Sequence, residues 1–228
     1  ACGLDADGHE TTARDIAIMS RELTTRYPDI FNYTSIWTDT IIHKTRRGEK
    51  EFGLVNTNKF LRQYQGATGL KTGYTSTAHY CISATANRNG VKLIAVVMGA
   101  DTKENRNTDA AKLLDYGFAR CYAYTDKKIL QKNDIKVLNG DREYVKITSV
   151  SDFNAVLLNG EKAEDVKKEL VLYDDELKAP LKKGDCIGYV KYTVGDRTIG
   201  MVAVNTGEAV GEKTYMYGMQ TMFEHIIR

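Results

Sequence analysis

Lys71, Thr72 and Gly73 are the residues whose types and order best suit chemistry. They sit in the run Gly69-Leu70-Lys71-Thr72-Gly73-Tyr74-Thr75, which is short, glycine-bracketed and rich in β-formers. A lysine held on a strand supplies a fixed positive charge for a carboxylate and for proton transfer. A threonine hydroxyl beside it adds a hydrogen bond to the same carboxylate. The glycine that follows has no Cβ, so an acyl group can approach the strand closely. Tyr74 comes next and is a candidate to line the same pocket. Alone, the tripeptide carries little; its place at the opening of a strand raises its weight. The two obvious histidines read as structural, His9 at a helix start and His79 on a strand face. Cys2, Cys81, Cys121 and Cys186 are far apart, with no C-x-x-C pair and no histidine at a ligand spacing, so no metal site is expected. Their plain reading is mostly buried free thiols, although export would permit a disulfide.

The elements that must position these residues follow from patterning. Thr12 and Asp15 have the spacing of a capping box, and Ile16, Met19, Ser20 and Leu23 continue at helical spacing until Pro28 stops the helix. Residues 30–50 read as irregular, with Trp37 and Ile41-Ile42 in a polar stretch. Lys44, Arg46, Arg47 and Gly48 read as a solvated hairpin tip. Ala78–Ala86 reads as a strand, Asn89-Gly90 as a turn, and the apolar run Val91–Met98 as a strand suited to the middle of a sheet. These two strands are expected to pair antiparallel. A helix is expected over Thr108–Tyr116, with Gly117 as its stop.

From Tyr122 the texture changes. Short apolar segments recur at Ile135–Leu138, Tyr144–Thr148, Ala155–Leu158, Leu170–Tyr173, Ile187–Val194 and Ile199–Val204. Turn residues separate them at Asn139-Gly140-Asp141, Asn159-Gly160, Lys183-Gly184-Asp185 and Gly195-Asp196, which points to a small all-β domain. The boundary falls near Cys121–Thr125. Lys213–Arg228 reads as an amphipathic helix with Met216, Met219, Phe223, Ile226 and Ile227 on its apolar side. Such a helix packs on a core or lies on a membrane surface.

With 228 residues, the chain is long enough to bury a core without metal or disulfide staples. A net charge of +2, with basic residues scattered among acidic ones, argues against a nucleic-acid partner. No run reaches transmembrane length. The chain opens on Ala1-Cys2-Gly3 without an initiator methionine or a signal peptide, and this reads as the middle of a protein.

A series of segments occurs in a telling order. Gly8-His9-Glu10-Thr11-Thr12-Ala13-Arg14-Asp15 comes first, then Asn56-Thr57-Asn58, Tyr64-x-Gly66 and the run from Gly69 to Thr75. Tyr80-Cys81, Ala84-Thr85-Ala86, Leu93 to Gly99, Arg106, Leu113 to Phe118 and Ala179-Pro180-Leu181-Lys182-Lys183-Gly184 follow. In order and spacing they resemble the C-terminal portion of the serine D-alanyl-D-alanine carboxypeptidases. These are low-molecular-mass penicillin-binding proteins of peptidase family S11. The resemblance covers essentially the whole chain, and K-T-G is part of its signature.

The resemblance implies a mixed α/β (α+β) fold. Residues 1–121 would form part of a β-lactamase/transpeptidase-like domain, and residues 122–228 a β-rich, sandwich-like domain. It implies an enzyme that removes the terminal D-alanine from peptidoglycan stem peptides through an acyl-enzyme, without cofactor or metal. Its peptide would lie beside a strand edge. Lys71, Thr72 and Gly73 would be catalytic; Lys71, Thr72, Arg106 and Tyr74 would bind substrate. The plainer reading of Arg106 is a surface salt bridge. β-Lactam antibiotics would be partners of the full-length protein, which would be exported and associated with the cell wall or membrane.

Two family elements are missing. None of Ser20, Ser35, Ser76, Ser83, Ser149 and Ser151 has a lysine three residues later, so the S-x-x-K nucleophile motif is absent, as is S-x-N. In the family both lie upstream of the segment that Ala1 opens. The simplest expectation is a truncated chain, inactive alone, with apolar surface exposed where the upstream part would pack. The alternative is a non-catalytic cell-wall or protein-interaction module on the same scaffold. A class A β-lactamase fits less well, because those enzymes lack a domain like 122–228.

Overall fold

Thr12 starts the first helix. Its hydroxyl accepts the Asp15 amide at 3.1 Å and donates to the Asp15 carboxylate at 2.8 Å, which satisfies donors that a helix start otherwise leaves unpaired. The computed structural model describes residues 3–46, 48–130, 134–214 and 219. The chain divides into two compact units, Ala1–Tyr122 and Ala123–Arg228.

In the first unit, α1 (Ala13–Arg26) ends before Pro28, and a 3-10 turn leads into the short α2 (Phe31–Thr34). The stretch expected to be irregular is instead a regular hairpin of β1 (Thr38–Thr45) and β2 (Gly48–Val55), with Ile41 opposite Phe52 and Lys44 opposite Glu49. Of the expected hairpin tip, Arg46 falls in the turn between the strands, Lys44 and Gly48 belong to the strands themselves, and Arg47 lies outside the described residues. All sixteen strand residues are exposed, including Phe52 at 57%. A strand pair with water on both faces has no core to impose alternation, which is why the pattern did not announce it.

A short α3 (Phe60–Gln63) precedes the central antiparallel sheet of β3 (Ala67–Thr75), β4 (His79–Arg88) and β5 (Val91–Ala100), in that order. β4 and β5 pair through Asn89 and Gly90, both at positive φ, as the dipeptide requires. α4 (Lys103–Phe118) starts five residues before its expected position, because Thr102 caps it by accepting the Asn105 amide at 3.0 Å.

Side chains alternate across a sheet, so the register assigns each residue a side. Ile82, Ala84 and Ala86 face α4 and share its core with Phe60, Tyr64, Ala95, Ala110 and Leu114. Ser83 and Thr85 face α1, where Ser20 and Ser83 share a buried hydroxyl pair at 2.7 Å. α1 therefore turns Ser20 to the sheet and leaves Met19, 57% exposed, in solvent.

The second unit is all β. β6 (Cys121–Asp126) pairs with β9 (Phe153–Leu158). A six-stranded sheet runs β10-β12-β13-β8-β7-β11, with β7 (Asp134–Leu138), β8 (Tyr144–Ser149), β10 (Val166–Leu172), β11 (Leu177–Lys178), β12 (Cys186–Val194) and β13 (Arg197–Thr206). Its core gathers Val145, Ile147, Phe153, Val190, Tyr192, Val202 and Val204. The expected terminal helix falls almost wholly outside the described residues. Among those residues no helix is long and apolar enough to cross a membrane. Cys81, Cys121 and Cys186 are free; the first two are half-buried and the last exposed, so burial was overestimated for them. Cys2 lies outside the described residues.

A polar knot closes this core. Tyr192 donates to Asp126 Oδ2 at 2.9 Å, the Lys128 amide donates to Asp126 Oδ1 at 2.9 Å, and Lys168 pairs with Asp126 while donating to the Lys128 carbonyl at 2.9 Å. Burial pushes the Asp126 carboxyl up. The Lys168, Tyr192 and Lys128 hydrogen bonds outweigh it and hold the group below its ordinary value. A depressed folded pKa gives stability that is full above the unfolded value, about 3.9 for aspartate, and is lost as pH falls through the folded value. Urea melts at pH 7 and pH 3 should therefore show a smaller stability loss on acidification for Asp126→Asn than for the parent chain. Equal losses would remove Asp126 as a contributor.

Candidate functional site

β3 lies at the edge of its sheet, and among the described residues its outer side carries no strand. Gly69 fits it against α2: at φ +151, a Cβ there would meet Thr34 Oγ1 at 2.7 Å. Gly73 differs, since a Cβ there would meet no atom within 4 Å. Packing therefore does not demand glycine at 73, and the space beside it is open.

The register separates the tripeptide. Lys71 pairs with Ser83 and belongs to the α1 side of the sheet, whereas Thr72 pairs with Ile82 and belongs to the α4 side. Lys71 is exposed, and its Nζ donates to the Thr72 carbonyl. Thr72 is half-buried. Tyr74 shares its side and leans on Tyr80, with ring centroids 4.4 Å apart.

On that side, the first turns of α4 bring up Arg106. It is 5% exposed, so it is not the surface salt bridge of the plainer reading. Its Nε and Nη2 donate to Asn107 Oδ1 at 3.1 and 3.0 Å, and Asn107 Nδ2 donates to Gln63 Oε1 at 2.6 Å. Burial lowers the Arg106 pKa, while Cys81, Glu104 and Tyr80 pull it back up. A guanidinium starts so high that it stays charged. Among the described residues no carboxylate lies within ion-pair distance of it. A buried cation with no ion-paired partner is costly unless an anion arrives; Glu104, which lines the same space, acts on it only from beyond ion-pair distance.

These groups border a cavity of about 210 Å³. Thr72, Gly73 and Tyr74 line it from β3, Tyr80 from β4, Arg106 and Lys103 from α4, and Lys59 from the segment before α3. Of the expected residues, the cavity brings together Thr72, Gly73, Tyr74 and Arg106. Lys71 lies on the other side of the sheet. Tyr80 could have been found by counting across the hairpin from Tyr74, and Lys103 from its place one helical turn before Arg106. Asn107 and Gln63 carry no sequence signal. His9 and His79 are exposed and do not line the cavity.

Comparison with known proteins gives matching results for both units. The family described as D-alanyl-D-alanine carboxypeptidase matches residues 1–102, and the penicillin-binding protein 5 C-terminal domain matches residues 124–212. D-alanyl-D-alanine carboxypeptidase DacF of Bacillus subtilis is 36% identical over 190 residues, covering 82% of this chain and 47% of the relative. DacA of Haemophilus influenzae is 30% identical over 215 residues, covering 92% and 52%. The crystal structure of penicillin binding protein 5 from Haemophilus influenzae superposes with a TM-score of 0.68 at 29% identity, covering 92% of this chain and 59% of that one. The chain thus spans about half the length of the curated relatives it matches.

Proposed function

This chain belongs to the D-alanyl-D-alanine carboxypeptidase family, and from that premise we propose that it forms the carboxylate-recognition side of such an active site. The observation that carries the reading is Arg106: buried, charged, without a carboxylate partner among the described residues, and bordering one cavity with Thr72 at a strand edge. The terminal carboxylate of a peptide ending in D-Ala-D-Ala enters that cavity. Its backbone runs along the free edge of β3, where pairing to an open strand gives affinity without side-chain specificity. The open space beside Gly73 admits the scissile carbonyl.

Lys71 acts from the other side of the strand, where its ammonium helps move the proton of the nucleophile and steadies the tetrahedral oxyanion. The nucleophile is a serine of an S-x-x-K motif in residues outside this chain. Its Oγ attacks the carbonyl of the penultimate D-alanine, and the S-x-x-K lysine takes the hydroxyl proton. The C–N bond breaks, the proton passes to the departing D-alanine, and water then hydrolyses the ester. The second unit's match to the penicillin-binding protein 5 C-terminal domain supports this reading over a class A β-lactamase. The enzyme works on peptidoglycan stem peptides outside the cytoplasm and is acylated by β-lactams.

Incubation with a fluorescent penicillin followed by denaturing electrophoresis tests the assignment. The 228-residue chain should stay unlabelled, while the protein extended upstream to include S-x-x-K should label. A covalent label on the chain itself would place the nucleophile among its own residues. An upstream sequence without S-x-x-K, and no label, would favour the non-catalytic module.

A further inference from the structure

We propose that Asn107, held in turn by Gln63, is the positioning residue that aims the Arg106 guanidinium into the cavity while leaving its charge intact; this rests on the carboxylate-binding reading above. Successive residues of an α-helix point about 100° apart, so a bond between the side chains of 106 and 107 is not a default of the helix. Arg106 must fold sideways to make it, and one oxygen, Asn107 Oδ1, then accepts both Nε and Nη2.

The polarity of the whole relay follows from chemistry. A guanidinium has donors only. Asn107 must therefore present its oxygen to Arg106, which turns its Nδ2 outward. Gln63 must then present Oε1 to receive it, and it does so at 2.6 Å. An Asn107 amide rotated by half a turn would set donor against donor at Arg106 and would lose Gln63 as well. Gln63 thereby selects the orientation of Asn107, and Asn107 fixes the guanidinium plane. Nη1, which carries two protons, has no partner among the described residues and remains for a ligand.

The choice of an amide has an electrostatic consequence. A carboxylate at position 107 would hold the fork as well or better, but it would also neutralise it. The neutral amide fixes the fork and leaves a full positive charge at the cavity. The site therefore separates a free carboxylate from its uncharged amide, which presents no charge and replaces one acceptor oxygen by a donor nitrogen.

The test uses the 228-residue chain, N-acetyl-D-Ala-D-Ala, its C-terminal amide, and acetate, with binding followed by NMR. The Arg106 Nε–Hε resonance reports directly on whether the guanidinium is held. The parent chain should bind the free acid better than the amide and show a slowly exchanging Hε. Asn107→Ala should lose the held Hε and weaken the free acid roughly tenfold or more, the size of a lost hydrogen bond to a charged group, with the amide unchanged. Asn107→Asp should keep the held Hε yet lose the preference for the acid, a split that a purely structural role would not produce. Gln63→Met should loosen Hε in the same direction as Asn107→Ala.

An unchanged acid-to-amide ratio in Asn107→Ala, or a held Hε in that variant, would overturn the proposal. If the parent chain binds acetate in an Asn107-dependent manner but binds neither peptide, the peptidase reading fails and the positioning role stands. If the parent binds the acid and Asn107→Asp binds it equally well, the peptidase reading stands and the claim that the neutral amide keeps the charge for the ligand is overturned.

Discussion

Lys71→Ala in a protein extended upstream to carry the proposed S-x-x-K nucleophile should lower acylation by roughly 10²–10³-fold while leaving the fold intact, the scale for removing one transition-state stabiliser. The fold should survive because Lys71 is exposed, and its ammonium donates to a carbonyl of its own strand. The rate should fall because the cations that line the cavity, Lys59, Lys103 and Arg106, stand on the α4 side and do not replace a charge on the α1 side. Lys71→Arg should restore little, since a planar fork does not occupy the site of a compact ammonium. Arg106→Ala should cost less, with Lys103 and Thr72 still bordering the carboxylate. The measurements are the acylation rate by a β-lactam and D-alanine release from a peptide ending in D-Ala-D-Ala. Near-parental rates for a folded Lys71→Ala enzyme would reduce the tripeptide to coincidence.

Tyr192→Ala should destabilise the β unit by about 3–5 kcal/mol, the range for removing a large buried aromatic. The ring is fully buried and stacks on Phe153, with centroids 3.7 Å apart and planes within 10°. Truncation forfeits that contact and opens a cavity in the middle of β12. It also strips Asp126 of one donor and leaves its carboxylate to Lys168 and the Lys128 amide. Tyr192→Phe removes only the hydroxyl and should cost about 1.5–3 kcal/mol, as for a hydrogen bond to a charged group. Denaturant melts followed by far-UV circular dichroism would separate the two variants. Equal destabilisation would mean that the hydroxyl, not the ring, holds the core.

How legible each part was depends on what burial does to a pattern. β4 and β5 were readable because one apolar run and a turn dipeptide that suits positive φ agree. β1 and β2 were not, because strands exposed on both faces carry no periodic signal. The start of α4 was hidden in a polar run, Lys103 to Asn107, where only the cap at Thr102 marks the helix. Thr72, Gly73, Tyr74 and Arg106 were readable through motif order. The side on which Lys71 falls followed from strand alternation alone, once the register was known. Asn107 and Gln63 were beyond reach, since their pairing depends on the approach of α3 to α4 and not on any spacing.

The division of Lys71 and Thr72 between opposite sides of β3 bears on how such an enzyme is inhibited. A compact carboxylate that fills only the cavity of Thr72 and Arg106 lies on the opposite side of the strand from Lys71. It would block by reversible occupancy, compete with peptide, and leave no covalent adduct. Changes that slow acylation from the Lys71 side would not disturb it, whereas changes that loosen the arginine fork would weaken it and slow acylation only in part. One strand thus offers two footholds on opposite sides, and an inhibitor that spans both would require more than one escape.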